Sequence, residues 1–400
     1  MTNYIILEIV RMTEDSFTTN LIDIYKIVLK EGIKQKITLG LHRSDYMIHC
    51  PVDSKDNSDW SLKQVELNTI AASFSNLSTV TSKLHRYLVE RYESHKDYSI
   101  ENLVENESQI HIPNAIAKAF ELYGSSKAVV VMIIHPNETN TFDQRMLEFN
   151  LWNKHKIKLI RRSLSDFAER GNIEENTNKL KIDNIEVAVV YYRAGYTPDD
   201  YPTNKEWEAR LLIERSMAIK NPNIAYHLVG TKKVQQVLSN KGVLEQFINE
   251  KEIIDRLRNC FTGLYSLTEG DEGVEDIIKK SKETPYKYVL KPQREGGGNN
   301  MYNEQIVETI NKSSRKQLSG YIMMDRIIPP QYTTHFIRDK IVNKSDGSSE
   351  LGIYSVFLKD KDNTIVMNNN GGYLLRTKVS SVDDGGVAAG VAVLDSLYLF

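Results

Sequence analysis

Cysteine is almost absent from this chain of 400 residues, which contains only Cys50 and Cys260. Two thiols exclude a disulfide-stapled scaffold and any cysteine-rich zinc or iron–sulfur site. They also indicate a reducing compartment, and both are predicted to be structural rather than nucleophilic.

Long apolar runs and an excess of one charge are absent too. The longest apolar runs, such as 128–134 and 387–394, are far shorter than the ~20 residues that a membrane-spanning helix needs. The apolar patch near the amino end soon meets Glu8 and Arg11 and has no basic segment before it, so no signal peptide is indicated. Lys and Arg number 51 against 53 Asp and Glu, which argues against a polybasic nucleic-acid or membrane-surface protein. We therefore expect a soluble cytoplasmic protein.

The pattern of apolar residues predicts a mixed α/β protein of two or three domains. Short β-branched runs at 128–134, 157–161 and 186–192, with a helical stretch at 142–154 between the first two, are typical of a parallel sheet covered on both faces. We assign 128–225 to an inserted α/β domain, 1–127 to the part before it and 226–400 to the part after it. Other helices are expected at 14–31, 78–93, 113–123 and 203–219, and other strands at 36–41, 63–69, 286–292, 320–325, 351–357 and 364–367.

A glycine-rich turn at 296–298 is the strongest chemical signal. A strand delivers Lys291, Arg294 and Glu295 into three consecutive glycines, where backbone N–H groups can approach a polyphosphate because no Cβ intervenes. Lys291 could then neutralise phosphate, and Glu295 could hold its Mg²⁺. A surface hairpin is the alternative. The spacing matches neither a Walker A loop nor a dinucleotide-binding loop.

Two further pairs of polar residues stand two positions apart on predicted strands. Glu66 and Asn68 share one strand face, which suits a hard cation, although a solvent-facing edge strand would look the same. Arg376 and Lys378 likewise share a face and precede the small-residue turn 383–390, which favours anion binding over an exposed strand.

Weaker candidates are single basic residues near element ends. Arg43 follows a strand, and Lys232 with Lys233 opens a helix, where solvated charge is the simpler interpretation. Arg193 and Tyr196 follow the third strand of the predicted parallel sheet, and ligands bind at the carboxyl ends of such strands. The sequence contains neither His-Glu-x-x-His nor Gly-x-Ser-x-Gly.

Taken in order, these motifs resemble eukaryotic-type glutathione synthetases over the chain from about residue 14 to its end. The segments that carry the resemblance are Leu-His-Arg-Ser-Asp-Tyr-Met (41–47), Gln-Val-Glu-Leu-Asn-Thr-Ile (64–70), Phe-Asp-Gln-Arg (142–145), Gly-Thr-Lys-Lys-Val-Gln-Gln (230–236), Lys-Pro-Gln-Arg-Glu-Gly-Gly-Gly-Asn-Asn (291–300), Leu-Leu-Arg-Thr-Lys (374–378) and Asp-Gly-Gly-Val-Ala-Ala-Gly (384–390).

The resemblance implies an ATP-grasp fold with an inserted parallel α/β substrate-binding domain and a glycine-rich lid. It also implies a homodimer that joins γ-glutamylcysteine to glycine while ATP becomes ADP and phosphate. The implied metal ligands for Mg²⁺ are Glu66, Asn68 and Glu295, and the implied catalytic residues are Arg376 and Arg43. The implied ATP-binding residues are Met47, Glu66, Lys232, Lys291, Pro292, Gln293, Arg294, Glu295, Gly296, Gly297, Gly298, Asn299, Asn300, Tyr302, Met324, Asp325, Arg326, Ile327, Glu350, Lys378 and Asp384. The implied substrate-binding residues are Arg43, Ile70, Ala71, Ala72, Ser73, Glu138, Asn140, Gln144, Arg193, Tyr196, Arg376, Val387 and Ala388.

The chain departs from the family pattern at three places. It is expected to lack an amino-terminal stretch that relatives carry; Ala71 replaces a usual serine; and the usual Met-Glu-Lys-Ile reads Met324-Asp-Arg-Ile327. Two alternatives to a glutathione synthetase remain open. One is a sister ligase that accepts a larger amino acid such as β-alanine, and the other is a non-catalytic nucleotide-binding paralogue.

Overall fold

The computed structural model describes residues 15–54, 56–92, 98–338, 340–383, 385–387 and 390–399. Two of the implied site residues, Asp384 and Ala388, lie outside the described residues.

Helices and strands alternate through the first two thirds of the chain, as the sequence pattern predicts. In chain order the elements are α1 Ser16–Glu31, β1 Thr38–His49, β2 Ser61–Asn68, α2 Ser75–Arg91, α3 Ser108–Tyr123, β3 Val129–Ile133, α4 Thr141–His155, β4 Leu159–Arg162, α5 Leu164–Arg170, β5 Gly171–Ile173, β6 Leu180–Ile182, β7 Ile185–Tyr192, α6 Asn204–Arg215, β8 Ile219–Asn221, α7 Ile224–Val229, α8 Lys232–Ser239, α9 Lys251–Cys260, β9 Leu264–Ser266, α10 Val274–Glu283, β10 Tyr288–Pro292, β11 Met301–Tyr302, α11 Glu304–Lys312, α12 Arg315–Leu318, β12 Tyr321–Asp325, β13 Tyr332–Arg338, β14 Ile341–Lys359, β15 Ile365–Val379 and β16 Ala392–Asp395.

A central sheet has strand order β4-β3-β7-β6-β5, with β8 added beside β7. Strands β4, β3, β7 and β8 run parallel, and the short β5 and β6 pair antiparallel. The strands of this sheet, β3 to β8, all lie within residues 129–221. The predicted parallel sheet is therefore present. The three predicted domain bounds stay predictions.

Two antiparallel sheets accompany the central sheet. The larger has strand order β16-β15-β14-β1-β2, with β13 beside β14. The smaller has strand order β11-β10-β12-β9, and the glycine turn 296–298 connects β10 to β11. The glycine turn is therefore the loop of a β-hairpin, as the alternative interpretation expects, and the side chains that it faces are described below.

Apolar side chains cover both faces of the central sheet, which explains its continuous apolar strands. One face packs Val131 and Ile133 against Leu21 of α1 and Ile213 of α6. The other face packs Val130 and Met132 against residues of α3, α4, β1 and β14, among them Ile116, Leu147, Leu39 and Val356. A separate core, around Leu290 and Met323, lies under the smaller antiparallel sheet.

Several element bounds differ from the sequence prediction. The helix expected at 203–219 ends at Arg215, because Ser216 and Met217 leave the helix to start the short strand β8. The strand expected at 36–41 continues to His49 and so carries Arg43 inside it. Strands β14 and β15 are far longer than expected, since residues 347–359 of β14 form a long hairpin with β15 and the exposed first part of β14 pairs with β13. Among the described residues, no helix has the length and apolarity needed to cross a bilayer.

Candidate active site

Two neighbouring cavities open where the two antiparallel sheets approach each other. The larger, about 360 Å³, has a wall of apolar side chains and carries these implied ATP-binding residues: Met47, Lys291, Asn300, Tyr302, Met324, Asp325, Arg326, Ile327 and Lys378. The smaller, about 180 Å³, carries these implied residues of all three classes: Arg43, Glu66, Asn68, Ile70, Ala71, Ser73, Tyr196, Glu295, Gly296, Gly297, Asn300, Glu350, Arg376 and Val387. Val65 and Asn300 line both cavities, so the two are adjacent.

Strand β2 passes between the cavities and is irregular there. Its pairing with β1 shifts at Val65, since Asp45 lies opposite Glu66 while Tyr46 lies opposite Gln64. The extra residue leaves the carbonyl oxygen of Val65 to accept a hydrogen bond of 2.7 Å from Lys291 Nζ. A bulge of this kind redirects the strand next to a site. Glu66 and Asn68 line the same cavity, as their alternation predicts.

Lys232 joins the two carboxylates that the resemblance assigns to the metal. Its Nζ lies 2.9 Å from Glu66 Oε2 and 3.2 Å from Glu295 Oε1, and the residue is buried. Burial alone would lower the pKa of Lys232, but the charges of Glu295 and Glu66 raise it above its usual range. Lys233 Nζ, in contrast, donates a hydrogen bond of 2.9 Å to Ser266 Oγ on β9, so the two consecutive lysines have different surroundings.

The two carboxylates titrate very differently. Burial would raise the pKa of Glu66, but Lys232 and Lys291 lower it below its usual range. Burial raises the pKa of Glu295 to about 7; Lys232 opposes this rise and Glu66 adds to it. The second carboxylate oxygen of Glu295 is buried and has no hydrogen-bond partner, and a divalent cation would satisfy it. The residues present therefore fit a hard cation.

Asp45 holds the two arginines of the smaller cavity in place. It is fully buried and accepts hydrogen bonds from Arg43 Nε at 2.6 Å and from Arg376 Nη2 at 3.0 Å. It also accepts one from Asn68 Nδ2 at 2.9 Å, which leaves the amide oxygen of Asn68 as the atom for a cation. Arg376 also pairs with Glu350, on the next strand of the sheet. Burial would lower the pKa of Arg376, but the two carboxylates raise it.

Gly352 on β14 makes room for this cluster. A Cβ at this position would lie 2.6 Å from Asp45 Oδ1 and 2.7 Å from Arg43 Cδ. The strand can therefore pass close to the buried ion pair only because its side chain is a hydrogen atom.

The glycine turn adopts the conformation that its composition favours. Gly296, Gly297 and Gly298 have φ of 100°, 70° and 72°, a region that side chains disfavour. The turn reaches across to the central sheet, because a Cβ on Gly296 would lie 3.2 Å from the ring of Tyr196. The turn is thus one wall of the smaller cavity.

A second polar group lies at the carboxyl ends of β3 and β7. Glu138 accepts from the Asn140 backbone N–H at 2.6 Å and from Gln144 Nε2 at 2.5 Å. Arg193 is buried and lies 3.1 Å from Asp143. Four of the implied substrate residues therefore lie close to one another although none of them lines either cavity: Glu138, Asn140, Gln144 and Arg193.

Tyr196 connects this second group to the smaller cavity. Its hydroxyl lies 3.2 Å from His135 Nε2, and His135 Nδ1 lies 2.8 Å from Asp200. The bond to Asp200 raises the pKa of His135 from its usual value. Tyr196 is thereby held between the carboxyl ends of the parallel strands and the glycine turn.

A few implied residues have other surroundings. Arg294 extends to Asp15, at 2.6 Å, and lies over the ring of Phe17 in the first helix. Gln293 accepts a hydrogen bond of 3.0 Å from the Lys233 backbone, and Asn299 bonds the glycine turn. Pro292 ends β10, Ala72 is packed in the core, and Gly298 is exposed and lines neither of the two cavities.

Sequence reasoning missed Asp45, Asp143, Asp200 and His135 as site residues. The only signal for Asp45 was its position two residues after Arg43 on a strand, which puts both on one face. For Asp143 the only signal was its place between Phe142 and Gln144 in a family-like segment.

Comparison with known proteins identifies the family to which the chain is similar. A family described as the eukaryotic glutathione synthase ATP-binding domain matches residues 4–399. The chain is 48% identical over 388 residues to the glutathione synthetase of Dictyostelium discoideum, covering 96% of this chain and 81% of that protein. It is 44% identical over 388 residues to the glutathione synthetase of Homo sapiens, covering 96% and 80%. It is also 44% identical to the chloroplastic glutathione synthetase of Arabidopsis thaliana, covering 96% and 69%.

The fold is shared with a solved structure. A glutathione synthetase-like effector from Globodera pallida, in its apo form, superposes with a TM-score of 0.73 at 21% identity, covering 99% of this chain and 84% of that one. The predicted mixed α/β, ATP-grasp type of fold is confirmed. The chain belongs to the eukaryotic glutathione synthase family.

Proposed function

We propose that this protein is a glutathione synthetase, an ATP-dependent ligase that joins γ-glutamylcysteine to glycine and releases ADP and phosphate. The observation that carries the proposal is the junction of the two cavities, where Glu66 and Glu295 face Lys232 beside Arg43 and Arg376. Amide formation from a free carboxylate needs activation, and a nucleotide cavity adjoining an arginine-lined one supports such chemistry.

The larger cavity is proposed to bind ATP. Val289, Met324 and Ile327 offer an apolar surface for a purine. Lys291 and Lys378 line the same cavity and are proposed to contact the phosphates. Lys291 is buried and already fixed by the carbonyl of Val65, so little side-chain freedom is lost when phosphate binds.

The carboxylates Glu66 and Glu295, with the amide oxygen of Asn68, are proposed to hold Mg²⁺. When bound, the ion neutralises phosphate charge and orients the phosphates. Glu295 must lose its proton to bind a cation, and its pKa of about 7 makes that step pH-dependent near neutrality.

The reaction is proposed to run in two steps. A carboxylate oxygen of γ-glutamylcysteine attacks the γ-phosphorus, the bond to ADP breaks, and an acyl phosphate forms. The amine of glycine then attacks the acyl carbon, phosphate leaves with the bonding pair, and the amine loses a proton. Arg376 is proposed to stabilise the oxyanion that develops; its contacts with Asp45 and Glu350, which hold its guanidinium in one orientation, support this role.

The peptide is proposed to extend from the smaller cavity toward the second polar group. Arg43 and Ser73 line the cavity, and Tyr196 leads from it to the region of Arg193 and Glu138. Those two residues offer opposite charges to the amino-acid end of the γ-glutamyl group. The glycine turns are proposed to close as lids, excluding the water that would hydrolyse an acyl phosphate.

Three further proposals, on a domain, on the oligomeric state and on the site of action, follow from the family. The inserted segment 128–225 is proposed to be the substrate-binding domain, the protein is proposed to act as a homodimer, and its site of action is proposed to be the cytoplasm. Light scattering coupled to gel filtration tests the second, since a dimer has twice the 45.9 kDa of the chain.

The decisive experiment measures ADP release with Mg-ATP and γ-glutamylcysteine, with and without glycine, and with β-alanine in its place. We expect turnover that depends on glycine. A preference for β-alanine would keep the reaction class and refute the glycine assignment. Folded protein that binds ATP without turnover would refute the ligase proposal and favour a non-catalytic paralogue.

A further inference from the structure

Arg326 lies at the mouth of the proposed nucleotide cavity and contacts two separate segments. Its guanidinium pairs with the carboxylate of Asp383, and it lies 5.5 Å from the centre of the Tyr302 ring. Its backbone N–H donates to the carbonyl of Lys287 at 2.8 Å, which fixes where the side chain starts. Arg326, Tyr302 and Asp383 all line the same cavity.

Asp383 is held a second time, from its own sheet. Lys378 Nζ donates a hydrogen bond of 2.6 Å to the carbonyl oxygen of Asp383. Asp383 stands two residues before Gly385, where the glycine-rich segment 385–390 begins. Asp383 is therefore tied to β15 by Lys378 and to the end of β12 by Arg326.

These contacts join the two antiparallel sheets at the mouth of the cavity, in addition to a backbone hydrogen bond of 2.8 Å from the Cys50 N–H to the carbonyl of Ile328. Tyr302 and Arg326 belong to the smaller antiparallel sheet, whereas Asp383 follows β15 of the larger one. Ladder hydrogen bonds within each sheet do not fix the distance between the sheets across the cavity. A side-chain bridge across its mouth limits that distance, in addition to the hydrogen bond from Lys291 Nζ to the carbonyl of Val65.

We propose that Arg326 is a positioning residue for the nucleotide: through Asp383 and Tyr302 it holds the residues that follow β15 against the smaller sheet at the mouth of the cavity. This inference rests on the proposed binding of ATP there. Arg326 acts through its two neighbours, so the effect of its removal appears in nucleotide affinity and not in the affinity for glycine.

The chemistry of arginine suits both contacts at once. A planar guanidinium can donate two hydrogen bonds to a carboxylate while its face rests on an aromatic ring. A lysine would keep the charge but lose the fork and most of the ring contact. The two side chains of the pair are 29% and 36% exposed, so each single loss is expected to be modest.

The test compares Arg326→Gln, Asp383→Asn, the double variant and Arg326→Lys. Calorimetric titration with Mg-ADP gives the Kd, and steady-state turnover gives the KM for ATP and for glycine. We expect each single variant to raise the Kd for Mg-ADP about 3- to 10-fold. The Kd of the double variant for Mg-ADP should be no higher than that of the weaker-binding single variant, since the two substitutions remove the same contact. Arg326→Lys should fall between wild type and Arg326→Gln.

Arg258→Gln is the matched control. Arg258 pairs with Glu245 at 2.8 Å, its side chain is 26% exposed, and it lines neither cavity of the proposed active site. We expect its Kd for Mg-ADP and its KM for glycine to stay within twofold of wild type. Raising NaCl from 50 to 500 mM should bring the Kd of Asp383→Asn for Mg-ADP closer to that of wild type, because salt screens the part-exposed ion pair in the wild-type protein.

Other results would overturn the inference. Unchanged Kd in both single variants, or additive losses in the double variant, would show that the pair does not position the nucleotide. An equal rise in the KM for glycine would indicate a general structural role. Wild-type protein that binds Mg-ADP without glycine-dependent turnover would refute the ligase proposal, and the ratios of Kd would still support or refute the role of Arg326. Wild-type protein that does not bind Mg-ADP would refute both.

Discussion

At the scale of single residues, the site is built from opposite charges that share partners. Lys232 forms ion pairs with two carboxylates, and Asp45 forms ion pairs with two arginines. Such sharing in a buried place means that the removal of one member leaves another without compensation. It also sets the protonation of the remaining groups, so changes at one residue are expected to appear in pH dependence.

Arg376→Ala is expected to lower kcat about 10²- to 10³-fold while the Kd for Mg-ADP stays within a few-fold. The reason is location: Arg376 lines the smaller cavity and does not line the larger one. Turnover and calorimetric titration measure the two quantities. Arg170→Ala, at an exposed pair with Asp183, is the control and should leave both unchanged. Equal losses in turnover and nucleotide affinity would contradict the assignment.

Glu295→Gln is expected to abolish turnover and yet stabilise the unliganded protein at high pH. Burial raises the pKa of Glu295 from 4.5 to about 7, against Lys232 and together with Glu66. Folding therefore favours the protonated acid, and stability is lost as pH rises from 4.5 through 7. At pH 8 the variant should be more stable by about 1–3 kcal/mol, with little difference at pH 4.5. Urea denaturation at both pH values measures this; a difference that does not change with pH would contradict it.

At the scale of elements, helix α2 depends on a neighbour for its first turn. Its N-cap position, Phe74, offers no side-chain acceptor and has φ of 70°. Asp143 of α4 supplies the missing acceptor, taking hydrogen bonds from the backbone N–H of Phe74 at 3.0 Å and of Asn76 at 2.9 Å. The same carboxylate holds Arg193. One side chain thus joins two helices to the end of a strand in the proposed substrate region.

Asp143→Asn is expected to lower the free energy of unfolding by about 3 kcal/mol, since it removes the charge that balances buried Arg193 and weakens the cap. It should also raise the KM for γ-glutamylcysteine, because Arg193 loses its anchor. Urea denaturation and steady-state kinetics measure these effects. Glu148→Gln, on the same helix at an exposed pair with Arg145, should cost less than about 0.5 kcal/mol. Similar losses in the two variants would refute the capping role.

At the scale of the whole molecule, the central parallel sheet is continuous with the rest of the protein. Its two faces bury side chains from the segments on both sides of 128–225: Leu21 on one face, and Leu39 and Val356 on the other. The core that these side chains form is shared across the predicted domain bounds. The segment 128–225 is therefore a topological unit whose apolar faces need the remaining chain.

The isolated fragment 128–225 is expected not to fold, because each face of its sheet would lose the apolar cover that lies outside the fragment: Leu21 on one face, and Leu39 and Val356 on the other. Amide NMR dispersion and urea denaturation of the fragment, beside the full chain in the same buffer, measure this. Well-dispersed amide signals with a cooperative transition in the fragment would show that it is an independent domain.

Local sequence determined much of the secondary structure. The helix predicted at 14–31 begins after Asp15, whose side chain caps it, and ends before Gly32. The buried strands of the parallel sheet were found because their apolar runs are continuous. The predicted family is confirmed by the matching relatives. That prediction depended on the order and spacing of short sequence segments. Propensity, capping and motif spacing act over a few residues, so a single sequence reveals them.

Tertiary structure alone decided which of the candidate residues meet. Arg376 reaches Asp45 across 331 residues of chain, and Lys232 reaches Glu66 across 166. Arg294 shares a motif with Glu295 but extends to Asp15 instead of the cavity. Such contacts depend on how the sheets pack and on one bulge at Val65, which no local pattern records. The sequence by itself determined which side chains are available for the chemistry; packing determined their partners, and through burial and shared charge it determined their protonation.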